Sequence, residues 1–336
     1  MQGDFFLTQW AFLGMRWLYE TLTNESIFLT IILSTVLIRA LSVFGDIKSR
    51  QSSLRMAAVQ PQLDKLRKKY ENDPQRLNVE TQKVMKANNV SMFGGCLPML
   101  ITMPIFFIFI AAFRQWGNEM MVKLILALEE NEQTGLEMFA KFKFLWVNNM
   151  WQPDSGLKPV IQAAAEFFSK TNETLPKLLY FKDDPAAFQK FVDWGYFVLN
   201  DAGQYVLATS SNVSAEVFTA LSAHYTELVQ PCMDLYAGYN NGWFLFPLLA
   251  GGSMFLSSWI MQRNQPKNEA ANGSMKIMTY AFPLMSVFFC LSYNASFALY
   301  WTFSSLLSVV TTLIINRVFA KQTAAAEAAK NEGAKQ

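Results

Sequence analysis

Arg39 interrupts an apolar run from Ile27 to Phe44. A run of that length can cross a bilayer, and an unpaired charge at such depth costs about 2.5 to 3.5 kcal/mol on insertion scales. Two readings are open. In one, Arg39 is a functional site that holds a polar or anionic group inside the membrane. In the other it snorkels: Asp46 should lie near a membrane surface, roughly 10 Å along a helix rising about 1.5 Å per residue, within partial reach of a guanidinium.

Other chemistries find no residues to carry them. No Gly-x-x-x-x-Gly-Lys-Ser/Thr loop occurs, so nucleotide is not bound in that manner. A single histidine, His224, and three cysteines, Cys96, Cys232 and Cys290, offer neither a metal cluster nor a histidine-based nucleophile. His224 reads as a surface or packing residue, and no structural disulfide is expected. The chain reads as having no cofactor, no metal and no covalent catalysis.

The elements that position Arg39 follow from composition. The chain has 336 residues, 52% hydrophobic and 16% charged, against roughly 25% charged in soluble domains, which indicates a membrane protein. Five segments are long and apolar enough to span: 26–45, 93–114, 243–262, 275–293 and 297–317. An odd number puts the termini on opposite sides. The connection 46–92 carries a net charge of +5 and the connection 115–242 a net charge of −7, so the first should be cytoplasmic, the amino terminus outside and the tail 318–336 cytoplasmic.

Residues 1–25 place Phe6, Trp10, Leu13 and Trp17 on one helical stripe, as in a helix lying flat at the outer interface; packing on the outer domain is the competing reading. The segment 46–92 reads as a helical hairpin, with Leu63, Leu66 and Tyr70 on one face of its first helix and Asp73-Pro74 starting the second. Pro61 should bend or break the first helix. Few large apolar residues hold the hairpin, so it is expected to be mobile and to touch partners. Gly94-Gly95, Pro98 and Pro104 should interrupt the second span, and the short Asn294-Ala-Ser296 connection forces spans four and five to run antiparallel. The hydroxyls of the fifth span, among them Thr302, Ser304, Ser305, Ser308 and Thr311, suit helix contacts or a hydrated cavity.

Several stretches together carry a resemblance. Thr35-Val-Leu-Ile-Arg39, Gln60-Pro61 with Leu-Arg-Lys-Lys-Tyr70, Gly94-Gly-Cys-Leu-Pro-Met-Leu-Ile-Thr-Met-Pro-Ile105 and Ala298-Leu-Tyr-Trp301 resemble the YidC family of membrane protein insertases. The likeness runs through all five spans and the hairpin in order. It implies an all-α integral membrane protein whose five transmembrane helices enclose a hydrophilic groove, open to cytoplasm and lipid and closed outside. By resemblance Arg39 lines that groove, and Thr35, one turn earlier on the same helical face, joins it. Gln262 matches the polar end of the third span and Trp301 the aromatic position of the fifth. The implied partners are nascent membrane proteins and the lipid bilayer, with the ribosome and a secretion channel reached through the hairpin; no nucleic-acid site is evident.

The departures are local, except one. Val43-Phe44-Gly45-Asp46 stands where a proline is usual, Thr102 replaces a common glutamine, and Ser304-Ser305 replaces a Ser-Asn pair. The tail from Lys321 is only weakly basic, which argues against ribosome binding there. The large departure is outside: Phe144-Leu-Trp-Val-Asn-Asn-Met-Trp-Gln-Pro-Asp154 resembles a segment that normally leads directly into the third span, yet 156–240 intervenes before Asn241. An inserted, mostly helical outer domain is expected there, docking a partner or capping the core. No large outer domain and no organelle-style transit peptide precede the first span, so the expected location is the plasma membrane of a Gram-positive-type bacterium. The competing functions are a small-anion transporter or channel with Arg39 as its substrate site, and a structural subunit whose partner supplies an acid to Arg39.

Overall fold

A computed structural model describes residues 6–90, 97–169, 172–263 and 277–333. These residues are largely helical, with one short β-ribbon. Helix α1 covers Phe6–Thr21, α2 Ile27–Lys69, α3 Pro74–Ala87, α4 Leu97–Glu130 and α5 Glu132–Ala140. The insertion holds α6 (Ala164–Phe167), α7 (Tyr180–Asp183), α8 (Pro185–Asp193), strands β1 (Phe197–Leu199) and β2 (Tyr205–Leu207), and α9 (Ala215–Asp234). Helix α10 (Leu245–Arg263), α11 (Phe282–Ser292), entered through a π-helical turn, and α12 (Ala295–Gly333) follow. Among the described residues, Ile27–Lys69 and Ala295–Gln322 are long and apolar enough to cross a membrane, while Leu245–Met261 and Thr279–Ser292 are shorter apolar helices.

The chain divides into two compact units, the first built from Met1–Ile32, Phe107–Leu249 and Val287–Tyr300. Its core is aromatic. Phe109 stacks on Tyr300 at 4.8 Å between centroids, and Trp116 tilts against Trp151 at 4.9 Å. The insertion adds a core of its own, in which Phe167 of α6 stacks on Tyr225 of α9 at 4.6 Å and Phe168 meets Tyr196 edge-on at 5.3 Å. Such pairs contribute roughly 0.5 to 1.5 kcal/mol each beyond their burial. Tyr225 also donates its hydroxyl to the Gln162 carbonyl at 2.9 Å, and His224 takes a packing role between the Tyr196 hydroxyl at 3.0 Å and Glu129 at 3.3 Å.

The β-ribbon within the insertion is an addition to the helical expectation. Phe197 pairs with Leu207 and Leu199 with Tyr205 in antiparallel register. Asn200 closes the turn: its side-chain oxygen accepts from the amides of Ala202 and Gln204, and Gly203 takes a left-handed φ of +71° that suits glycine.

Helix α1 is packed along one side, as the competing reading expected. Phe12, Met15, Leu18 and Tyr19 are buried in the first unit, with Tyr19 edge-on to Trp116. Phe6, Trp10, Leu13 and Trp17, the stripe singled out from the sequence, remain exposed. The helix is therefore packed on one side and offers an apolar face on the other.

The second unit comprises Leu33–Phe106, Ala250–Ser286 and Trp301–Gln336. Its hairpin is better held than its composition suggested: Val59 and Leu63 of α2 pack with Met85 of α3 and with Val90, flanked by Met56 and Val84. Leu63 belongs to the expected face. Asp73 caps α3 as its spacing predicts, accepting the Arg76 amide at 3.0 Å ahead of Pro74 at the first turn.

Neither Pro61 nor Pro104 ends its helix. Helix α2 continues through Pro61 and α4 through Pro104 to Glu130, well past the expected end of the span at 114. An interior proline removes one backbone donor and crowds the carbonyl one turn earlier, which can kink a helix without ending it. Gly94-Gly95 and the loop 264–276 lie outside the described residues.

Candidate functional site

Arg39 lies within the apolar first half of α2, its side chain 15% exposed. Its Nη2 donates to Asp46 Oδ2 at 3.3 Å and to Thr311 Oγ1 of α12 at 3.2 Å. Thr311 is able to accept because its own hydroxyl hydrogen is directed back to the Leu307 and Ser308 carbonyls, at 3.0 Å each. Asp46, which marks the expected membrane surface in the snorkelling reading, is thus within reach of the guanidinium. That contact does not exhaust the guanidinium: Arg39 Nε is buried and has no hydrogen-bond partner among the described groups. An arginine carries five N–H donors, and a buried donor without an acceptor bears its full desolvation cost.

The other residues expected at the site have separate placements. Thr35 is buried on α2, one turn before Arg39 and on the same side. Trp301 sits on α12 and meets Phe106 edge-on at 4.8 Å, roughly 15 Å along the helix from Thr311 at about 1.5 Å per residue. Gln262 is in the last turn of α10; its side chain lies outside the described residues. Arg39 and Thr311 thus join α2 to α12, the helices that carry three of the four expected residues. Ser34, buried beside Thr35 with an unpartnered hydroxyl among the described groups, adds a polar atom that the sequence reading passed over.

Around Arg39 the surface is apolar. Val36, Leu37, Leu41 and Phe44 of α2 are exposed large side chains, as are Leu306, Val310 and Leu313 of α12. Among the described residues no group of acidic, histidine or cysteine side chains is arranged to hold a metal.

A second polar centre, in the first unit, escaped the sequence reading. The carboxylate of Asp154 is fully buried and accepts from Trp146 Nε1 at 3.0 Å and from the backbone amides of Trp243, Phe244 and Phe246 at 2.7, 3.1 and 2.6 Å. The amides of Phe244 and Phe246 are orphan donors at the start of α10 and that of Trp243 precedes them, so Asp154 supplies both hydrogen bonds and a negative charge where the helix dipole is positive. Beside it Asn241 bridges backbone on both sides, donating to the carbonyls of Asn149 and Pro153 and accepting the Asn149 amide at 2.7 Å. Gly242 has φ +99°, and a side chain there would collide with the Asp154 carboxylate. Nothing in the spacing could reveal this: the partners come from opposite ends of the insertion.

A buried ion pair ties α1 to this unit. Glu119, 1% exposed, pairs with Lys123 at 2.8 Å and with Arg16 of α1 at 3.6 Å, and Arg16 reaches Asp183 of the insertion at 2.7 Å.

Residues 17–322 match the 60Kd inner membrane protein family. The chain is also similar to proteins named membrane protein insertase YidC: it is 34% identical over 142 residues to that of Clostridium perfringens, covering 42% of this chain and 51% of the relative. The relative in Clostridium tetani is 33% identical over 146 residues, covering 44% of this chain and 57% of its own length. That of Anaeromyxobacter sp. (strain Fw109-5) is 35% identical over 140 residues, 42% of this chain and 22% of the relative. The match thus spans about half the length of the clostridial relatives. With the family match running over most of its length, the chain belongs to the 60Kd inner membrane protein family.

Proposed function

We propose that this protein is a membrane protein insertase, taking the short hydrophilic tail of a substrate into a groove containing Arg39 and releasing its apolar segment sideways into lipid. Five spans, carried by α2, α4, α10, α11 and α12, would form the groove, with the amino terminus outside and the tail in the cytoplasm. Thr35, Gln262 and Trp301 complete the lining in this reading.

The observation that carries it is the unspent donor capacity of Arg39: its Nε is buried without an acceptor while Nη2 is shared between Asp46 and Thr311. An incoming carboxylate or backbone carbonyl would satisfy that donor and be spared much of its own desolvation in the bilayer interior. The exposed leucines and valines on α2 and α12 supply the path into lipid. No nucleotide is required, because transferring some twenty apolar residues from water to hydrocarbon releases far more than the few kcal/mol that a tail costs. The protein lowers a barrier without covalent chemistry.

Substrates in this reading are nascent membrane proteins, and the basic hairpin of α2 and α3 is the surface offered to a ribosome or secretion channel. A structural subunit would need a partner's acid for Arg39, whereas Asp46 supplies one from the same chain.

The test is protease-protected insertion of a small single-span substrate into nucleotide-free liposomes containing this protein alone. Wild type should insert it and Arg39→Ala should not. Insertion by both would reduce Arg39 to a snorkelling residue, and insertion by neither would favour a transporter or a subunit of a larger complex.

A further inference from the structure

At the foot of the insertion the first unit holds an open cavity of about 360 Å³ lined by Lys143, Trp146, Asn148, Tyr239, Asn240 and Trp243. Its volume lies within the range of small-ligand sites. Leu145, Tyr239 and Trp243, which line it, and Leu157, next to the lining residue Gly156, are all exposed large apolar side chains, Leu157 by 82%. Isolated exposed leucines need no explanation, but four large apolar groups around one cavity do. Leu145 is held there with a left-handed φ of +54°, a conformation that disfavours a branched side chain and that burial does not repay.

The cavity is cationic at one side and apolar at its rim. Lys143 has no carboxylate within ion-pair distance among the described residues, and its ammonium lies 5.2 Å from the centroid of the Tyr236 ring. Asn148 and Asn240 add amide donors, though both also make hydrogen bonds within the chain. The rim continues onto α10, whose first residues Leu245, Leu248 and Leu249 are exposed as well. Aromatic side chains with one apolar and one polar end concentrate at membrane interfaces.

We propose that this cavity binds the phosphate headgroup of an outer-leaflet phospholipid through Lys143, with Leu145, Leu157, Tyr239 and Trp243 inserted among the acyl chains, so that the insertion is anchored on the bilayer surface. The inference rests on α10 crossing the bilayer. Continuity favours a lipid over a protein partner: the apolar rim runs on into the exposed Leu245, Leu248 and Leu249 of an apolar helix, and Lys143 offers a cation to a headgroup phosphate although the connection as a whole is net negative.

The experiment places an environment-sensitive fluorophore on single cysteines introduced into the cysteine-free protein, at Leu157, Tyr239, Leu199 and Leu256, in phosphatidylglycerol-containing liposomes with doxyl lipids as quenchers. Leu199 is an exposed residue of the β-ribbon and Leu256 lies midway along α10. Labels at 157 and 239 should be quenched by the shallow quencher and the label at 199 should not. The label at 256 should respond to the deep quencher. A silent label at 256 would overturn the assignment of α10 as a span, whereas quenching at 256 with 157 and 239 behaving like 199 would overturn the anchoring alone. Lys143→Gln should lower phosphatidylglycerol retained in native mass spectra several-fold, while a Lys190→Gln control leaves it unchanged. Equal retention in the Lys143 variant would overturn the headgroup assignment.

Discussion

The backbone amide of Ser155 donates to the carbonyl of Asn241 at 2.8 Å, and the Asn241 amide donates to the Lys158 carbonyl at the same distance. The insertion therefore leaves and rejoins the rest of its unit at one point, closed by an isolated antiparallel bridge. An insertion whose ends meet imposes little strain on its host, and its removal costs the contacts it makes there, such as Arg16 with Asp183 and Glu129 with His224. Replacing residues 156–240 by a two- or three-residue glycine-serine linker should leave a membrane-inserted protein with the same protease-protected fragments. Loss of the protein from the membrane would show that the core of the insertion is required by its host. If the shortened protein inserts substrate at the wild-type rate, the insertion is dispensable for the reaction.

That closure depends on Asp154. Removing its carboxylate leaves the Trp146 ring nitrogen and the amides of Trp243, Phe244 and Phe246 without their acceptor. Asp154→Ala should destabilise the first unit by about 3 kcal/mol or more, seen as a fall in the unfolding midpoint of the detergent-solubilised protein. Gly242→Ala should have a comparable effect through the same carboxylate, since it combines a φ of +99° with a collision against Asp154. Because Asp154→Ala removes the collision but not the strain of φ +99°, the double variant should lose less than the sum of the two single losses. Additive losses would separate the two sites.

Much of the fold was legible before the structure, and the rest was hidden for physical reasons. Apolar runs and the Asp73-Pro74 start of α3 are local signals, and helices lie over each of them. The stripe of Phe6, Trp10, Leu13 and Trp17 was legible, but the burial of Phe12 and Leu18 on the opposite side was not, because periodicity reports a face and not its partner. Strands of three residues, Phe197–Leu199 and Tyr205–Leu207, are too short for a period of two to register. The hairpin was expected to lack a core because its apolar residues are few; Val59, Leu63, Met85 and Val90 meet only after the turn brings α3 back. At the site, Arg39 and its reach to Asp46 could be read from spacing, while the bond to Thr311 spans 272 residues and no local pattern encodes it.

Cys232 provides a test of how tightly the insertion is packed. It is buried in α9, and burial, reinforced by the negative charge of Glu132, pushes its thiol up to about 12. An ordinary thiol near 8.5 is roughly a quarter thiolate at pH 8, and this one is about one part in ten thousand. With Cys96 and Cys290 replaced, the folded protein should resist maleimide at pH 8 and react rapidly once denatured. The same shift predicts a pH effect. The folded state holds the thiol proton more tightly than the unfolded chain, so this contribution to stability is complete below about pH 8.5 and declines as the pH rises toward 12. Rapid labelling of the native protein would mean that α9 opens readily.

The ion pair of Arg39 with Asp46 predicts a competition. If substrate acceptors bind Arg39, they must share it with Asp46, whose carboxylate sits 3.3 Å from Nη2. Asp46→Asn keeps the side chain's size and removes the competing charge. Crosslinking of an acidic substrate tail to a photoreactive residue at Thr35 should then rise by a few-fold, since tenfold corresponds to only about 1.4 kcal/mol. Arg39→Lys should retain part of the insertion activity, keeping the charge but losing the planar fork that reaches Asp46 and Thr311 together. Arg39→Glu should abolish insertion, because it sets a carboxylate against Asp46 and repels the tail it should receive. A neutral Asp46 that weakens crosslinking would instead mean that the acid orients the guanidinium for substrate. The effect of pairing Asp46→Asn with Arg39→Lys separates the two cases: a competitor's removal benefits lysine as it does arginine, and an orienting acid's removal harms both.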